Sequence, residues 1–315
     1  MSQNRVQFQR GLSLEGFLAE YGTEEQCIAL VLEMRFPKGY ECGECGSTEH
    51  KVARRGRMLE CSHCYYRTYV TAGTIFHGSK LPLKKWFLAM HLLTKDKQGI
   101  SALQLMREIG VCYETAWTVK HKLMVVMEER SLEKKLEGEA VADDAYMGGK
   151  QSNGKRGRGS ENKIPFVASA SLALDGRPNQ ISLRVVSGFD SESLKDWAKT
   201  NLAQGVHLST DGLPGFRSIE NAGIRHSATS MRQDPSQQDK GCFFWINTIL
   251  GNLKNAITGT YHHVEEKYVG RYLAEFEYRF NRRYDLKTIL PRLLYAATHT
   301  LPIPEKQLKL NAASR

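Results

Sequence analysis

The residues best suited to chemistry fall into two groups. Cys42-Gly-Glu-Cys45 and Cys61-Ser-His-Cys64 are two CxxC steps with fifteen residues between them. Each step presents two thiolates from one tight turn, and two steps at this separation suit a tetrahedral zinc site. Disulfides are the alternative, but they need an oxidising compartment that nothing else in the sequence suggests. His50 and His63 lie nearby, yet four cysteines already close the shell. The second group is Asp143, Asp211 and Asn247, with Lys254 seven residues after the Asn. Oxygen ligands on rigid elements can hold two divalent ions about 3.5–4 Å apart, as phosphoryl transfer requires. Each of these residues alone also has a plainer use, as a strand-end cap or as polar surface.

Strands must carry the aspartates. AVADDAYM (140–147) reads as a strand ending at Gly148-Gly149. Alternate strand residues face opposite sides, so only one of Asp143 and Asp144 points at a shared site without a bulge. Asp143 is the first choice and Asp144 the fallback. The runs 164–174 and 180–187 flank Asp175-Gly176 and predict a hairpin. Residues 191–203 predict a helix capped by Ser191. VHLSTD (206–211) predicts a strand ending at Asp211, and IRHSA (224–228) a further strand carrying His226. Helices are expected at 243–257, 264–284 and 287–298. Asn247 and Lys254 then share one helix face, and Tyr268, Tyr272, Phe276 and Phe280 form a core stripe. This order fits an α/β, ribonuclease-H-like fold.

The preceding half is organised differently. Residues 13–36 read as helical, with Thr23 as an N-cap. Between the CxxC steps, KVARRGRMLE predicts a hairpin turning near Gly56. Its Arg54, Arg55 and Arg57 either contact phosphate or form a solvated turn. After a helix at 80–93, a helix over Ser101–Glu108, a turn at Gly110 and a second helix from Tyr113–Glu114 have helix-turn-helix spacing. Ala116, Val119 and Leu123 then face inward. Tyr113, Glu114, Thr115, Thr118, Lys120 and Lys122 are candidates for a DNA groove or its phosphates, although ordinary amphipathic helices can mimic the pattern. GGKQSNGKRGRGSENK (148–163) is either a phosphate-following loop, through Lys150, Lys155, Arg156 and Arg158, or a plain surface loop.

The 315 residues carry a formal charge of +10. That length allows two or three domains, and that charge favours a polyanionic partner. Cys27, Cys112 and Cys242 are scattered, which fits a reducing cytoplasm. The polar start MSQNRVQFQRG does not read as a secretory leader, and the apolar run near Trp86–Leu93 is too short to span a bilayer.

The ordered motifs, from the CxxC pair through GISALQLMREIGVCYETAWTVKHKL, ADDAYMGGK and STDG to WINTILGNLKNAITGTYHH, resemble bacterial insertion-sequence transposases. These join a zinc ribbon and helix-turn-helix to a DDE-type catalytic domain. The resemblance spans residues 40–284. It implies catalytic roles for Asp143, Asp211, Asn247 and Lys254, with the first three holding Mg²⁺ or Mn²⁺ and the four cysteines holding Zn²⁺. It implies double-stranded DNA partners (terminal inverted repeats and target), strand cleavage and strand transfer. A homodimer or higher synaptic assembly and a cytoplasmic, nucleoid-associated location follow. The expected domains are a helical segment (1–39), zinc ribbon (40–72), helix-turn-helix domain (73–136), ribonuclease-H-like domain (137–300) and tail (301–315). Asn at the third acidic position departs from the usual triad and gives the site one negative charge fewer. A non-catalytic DNA-binding regulator and a structure-selective nuclease are the alternatives.

Overall fold

A computed structural model describes residues 9–148, 163–228 and 243–310. The chain divides into two compact units. One holds residues up to Val126 together with Arg282–Leu310, and the other holds Met127–Asn281.

The first unit opens with α1 (Leu14–Tyr21) and α2 (Glu24–Arg35). Thr23 begins α2 with a capping box: its hydroxyl accepts from Gln26 N, and the Gln26 side chain accepts from Thr23 N. The ribbon follows as an antiparallel sheet of β1 (His50–Ala53), β2 (Met58–Cys61) and β3 (Arg67–Tyr69). Next come α3 (Leu83–Lys95), α4 (Ala102–Ile109) and α5 (Tyr113–Leu132). Ser101 caps α4, and Gly110 ends it in the left-handed conformation a non-glycine would resist. Ala116, Val119 and Leu123 are buried, so the inward face of α5 is the one the sequence indicates. α3 has no cap of its own. Glu24 supplies one from α2, accepting from Leu83 N and Lys84 N at 3.0 Å each while pairing with Arg57 at 2.8 Å. One carboxylate thereby ties the ribbon, α2 and α3 together.

Helices α9 (Ile289–His299) and α10 (Glu305–Lys309) belong to this same unit. α9 packs on α2 and α3. The expected catalytic segment, 137–300, therefore ends in structural terms near Asn281. The reason is apolar: Ile289, Leu290, Leu293 and Leu294 are buried within the first unit.

The second unit is built on β4 (Glu139–Met147), β5 (Ile164–Leu172), β6 (Pro178–Val185), β7 (His207–Thr210) and β8 (Arg225–Ala228). The sheet order is β6-β5-β4-β7-β8. β4, β5 and β6 run antiparallel as a meander, and β7 and β8 join parallel to β4. This mixed sheet gives the ribonuclease-H-like α/β architecture expected from the element order. The intervening helix α6 (Ser191–Asn201) begins at Asp190 rather than Ser191: Asp190 Oδ1 accepts from Glu192 N and Ser193 N. The acid wins because it reaches two backbone donors at once.

Two apolar layers sandwich the sheet. Val141, Ala145 and Met147 of β4 pack with α7 (Phe243–Ala256) and α8 (Val269–Phe280). Ala140 and Ala142 pack with α6 and the short helix Pro214–Ala222. The helix expected over 264–284 is shorter, because a π turn at Ile257–Tyr261 and a 3-10 turn at Glu266–Tyr268 precede α8. Its aromatic stripe is largely internal, with Tyr268 and Phe276 buried.

Glu277 anchors α8 to the sheet. It accepts from Leu183 N at 3.0 Å, pairs with Arg184 at 2.6 Å and accepts from Ser131 Oγ. Removing one partner of such a pair strands the other charge in low dielectric. Glu277→Ala should cost about 3 kcal/mol in urea unfolding, and Glu277→Gln, which still meets Leu183 N, should cost less.

Candidate active site and metal centres

The four ribbon cysteines converge. Cys42 and Cys64 sulfurs lie 3.5 Å apart, and Cys45 and Cys61 sulfurs 3.6 Å apart. One sulfur from each lies within 4.8 Å of all the others. Disulfide sulfurs would sit at about 2.05 Å, whereas tetrahedral Zn–S bonds of about 2.3 Å put neighbouring sulfurs roughly 3.8 Å apart. The spacing fits the metal and not the disulfide. Burial pushes the Cys42 thiol up, but the N–H groups of Cys45 and Glu44 outweigh it and bring it down to about 6. The backbone N–H groups thus favour thiolate at Cys42.

The second cluster lies in the sheet. Asp143, Asp144 and Asp211 each offer a carboxylate oxygen within 4.8 Å of the others. Topology explains this. Parallel pairing of β4 with β7 stops at Ala142–Thr210, and β4 continues to Met147. Asp143 and Asp144 thus sit just beyond the last pair, where Asp211 leaves β7. This is the crevice at the carboxyl ends of parallel strands. Asp211 Oδ1 accepts from Leu213 N at 3.1 Å, which holds the turn.

The alternation of β4 distinguishes the two adjacent acids. Asp143 has the parity of Val141 and Ala145, the side covered by α7. Asp144 has the parity of Ala142 and of Tyr146, which packs edge-on against Phe189. Asp144 nevertheless reaches the cluster without a bulge in the β4–β5 pairing. The strict either/or expected from alternation fails because the side of β4 facing β7 is open at that point.

Asn247 and Lys254 are exposed on one side of α7, flanking the buried stripe of Ile246, Ile249, Leu250 and Leu253. α7 itself packs on β4 and β5. Burial pushes the Asp143 carboxyl up to about 6; the charges of Asp211 and Asp144 push the same way, and the charge of Lys254 opposes them. Three crowded carboxylates, with the Asp143 carboxyl raised, form a donor set suited to a hard divalent cation. Asp143, Asp144 and Asp211 are the groups brought together here that could hold one.

No sequence pattern singles out Thr210 and His226 together. His226 Nε2 lies 2.8 Å from Thr210 Oγ1, one residue before Asp211, and burial pulls the imidazole down. Only the β7–β8 register brings them together.

The proposed DNA contacts fare unevenly. Arg54 and Arg55 are exposed at the hairpin tip, while Arg57 is engaged with Glu24. Tyr113 is exposed. Thr115, Thr118 and Lys122 line an open cleft of about 460 Å³ together with residues 77–82. Lys120 departs from expectation. It is 1% exposed, and its ammonium donates to Ile100 O at 2.8 Å. It serves the fold, because a buried ammonium requires acceptors. Lys120→Met should lower the melting temperature yet leave the salt dependence of duplex binding unchanged, a slope that counts phosphate contacts. Lys150, Lys155, Arg156 and Arg158 lie outside the described residues.

Comparison with known proteins places this geometry. Residues 135–281 match the sequence model of the ISXO2-like transposase domain, and residues 22–67 match that of a transposase zinc-ribbon domain. Together the matches cover more than half of the chain. The chain belongs to the insertion-sequence transposases. The matched transposase-domain segment ends where the second unit ends, at residue 281. An uncharacterized protein of transposable element ISH50 from Halobacterium salinarum is 26% identical over 167 residues, 47% of this chain. The chain spans about half of that relative, 55% of its length. A crystal structure of the Mos1 strand transfer complex aligns with a TM-score of 0.21 and 10% identity, over 63% of this chain and 76% of that one. Among the described residues, no helix is long and apolar enough to cross a membrane.

Proposed function

We propose that this transposase binds the terminal inverted repeats of its element and carries out divalent-metal-dependent DNA strand cleavage and strand transfer, as an assembly of two or more copies. The observation that carries the reading is the convergence of Asp143, Asp144 and Asp211 at the open ends of β4 and β7 within a transposase domain.

Bound Mg²⁺ or Mn²⁺ would supply Lewis-acid stabilisation of the attacking and leaving oxygens. The chain's own residues do the rest. β4 and the Leu213-held turn fix Asp143 and Asp211 before substrate arrives. Above pH 6 the Asp143 carboxyl gives up its proton and offers both oxygens. Lys254, close enough for its charge to act on Asp143, can neutralise a scissile phosphate brought to the same place. Asn247 contributes an uncharged oxygen, and Asp144 restores the negative charge that the Asn forfeits. Four cysteines hold the structural zinc, and Arg54, Arg55 and Tyr113 are the exposed candidates for DNA.

The test is incubation of purified protein with Mg²⁺, a labelled duplex carrying the element's end and a target plasmid, with Asp211→Ala in parallel. Sequence-specific nicking and joining by the wild type alone supports the proposal. Specific binding without cleavage favours a regulator, the reading that Asn247 keeps open. Cutting that ignores sequence and joins nothing favours a nuclease. Asn247→Ala should lose activity and Asn247→Asp retain it; normal cleavage by the alanine variant removes Asn247 from the ligand set.

A further inference from the structure

The two knuckles of the ribbon are built alike, with one difference. Gly46 N donates to Cys42 O at 2.9 Å, and Tyr65 N donates to Cys61 O at 3.1 Å. Both residues follow the second cysteine of their knuckle, and both are left-handed, Gly46 at φ 71° and Tyr65 at φ 60°. Glycine adopts that conformation freely, whereas a bulky aromatic there is strained. Tyr65 gains no burial in return, because it is 68% exposed. The hairpin tip repeats the pattern: Arg54 and Arg55 are left-handed at φ 52° and 56°, and both are exposed. Strained positions that fold stability would assign to Gly or Asn carry a ring and two guanidinium groups instead.

These side chains have company. Tyr66 is 44% and Tyr69 39% exposed. The Arg54 guanidinium lies 5.6 Å from the centre of the Tyr69 ring. Lys51 is exposed on β1. The strand carrying Tyr69 is held rigidly, since Arg35 on α2 donates to the carbonyls of Tyr69 and Val70.

We infer that the ribbon binds a DNA strand with unpaired bases, its exposed tyrosines stacking on base faces and Lys51, Arg54 and Arg55 meeting the phosphates. Cations alone would suffice for duplex, whose bases are already stacked on one another and show no free face. Exposed rings interleaved with cations match a strand that shows both. The inference rests on the proposed function, in which cleavage at the element's end frees such a strand.

The test uses the zinc-loaded full chain and two fluorescein-labelled probes, oligothymidylate and a blunt duplex of the element's end. Tyr65→Gly is the informative variant because it relieves strain rather than adding it. It should retain zinc and melt no lower than wild type, bind the duplex unchanged, and bind oligothymidylate about ten-fold more weakly. Tyr65→Phe should bind both probes as wild type does. Unchanged oligothymidylate binding by Tyr65→Gly, or equal loss on both probes, overturns the inference. If wild type binds the duplex and not oligothymidylate, this inference alone fails. If it binds neither, the DNA-binding reading fails with it. Photocrosslinking of a 5-iodouracil-containing strand supplies a measurement free of variants. Adducts at Tyr65, Tyr66 or Tyr69 support the assignment, and adducts only elsewhere overturn it.

Discussion

Asp143→Asn should lower metal-dependent cleavage of end DNA by at least about a thousand-fold, the scale of losing a ligand whose charge stabilisation is worth several kcal/mol. The same substitution should make the metal-free protein more stable at neutral pH. Burial and two neighbouring carboxylates raise the Asp143 carboxyl to about 6 in the folded state, against about 3.9 in an unfolded chain. Between those values the folded state binds more protons than the unfolded one. Stability therefore falls as pH rises from about 4 to 6 and stays low above that. Two pKa units correspond to at most roughly 3 kcal/mol. Asn at this position never ionises, so Asp143→Asn should melt several degrees higher than wild type at pH 8 and no higher at pH 4, both without divalent ions. Scanning calorimetry at the two pH values decides it. Equal melting temperatures at pH 8 would mean that Asp143 is not held in a crowded, desolvated place. Mg²⁺ should close the gap by stabilising wild type and not the variant, since only ligands that bind the folded state shift its stability.

Asp144 sharpens that argument. If it supplies the charge that Asn247 lacks, Asp144→Asn should weaken metal binding, and adding Asn247→Asp should restore it. Mn²⁺ titration followed by electron spin resonance reads this without any turnover.

What could be read from sequence divides along physical lines. The convergence of the four cysteines was legible because two CxxC turns have few other uses. The boundaries of α4, with Ser101 before it and Gly110 after it, followed from capping chemistry confined to a few residues. Alternation in β4 led to a choice of Asp143 over Asp144, yet both carboxylates join the cluster. It missed how far Asp144 reaches, because that depends on where a distant strand, β7, stops pairing. Lys120 misled for a related reason. Its position on a helix wheel permits an outward direction, and the carbonyl of Ile100, twenty residues earlier, holds it inward. The strain at Tyr65 was equally hidden, since the sequence shows a tyrosine and not its dihedral angle. The packing of α9 against α2 and α3 is a long-range contact that no local pattern announces.

The zinc site should carry the largest stabilisation in the molecule. The ribbon's core consists of Tyr40, Cys42, Leu59 and Cys61, with Leu32 and Phe36 packed against it, so two of its four buried members are themselves ligands. Strands of four, four and three residues cannot hold a fold with so little apolar surface. Structural zinc in such modules contributes about 10–16 kcal/mol, and that binding energy is folding energy. Cys61→Ser, or a strong chelator, should therefore unfold the ribbon outright. The hairpin's Lys51, Arg54, Arg55 and Arg57 should become cleavable by trypsin, while the β4–β8 sheet, stabilised by its own two apolar layers, stays protected. Binding to end DNA should fall with the ribbon. Added zinc should rescue chelated wild type and fail to rescue Cys61→Ser. Retention of trypsin resistance in protein shown by atomic absorption to lack zinc would mean that Glu24 and Arg35 hold the ribbon without it. Those contacts argue against that outcome: Arg57–Glu24 is an exposed pair worth little in water, and Arg35 can grip Tyr69 and Val70 only while β3 is already formed.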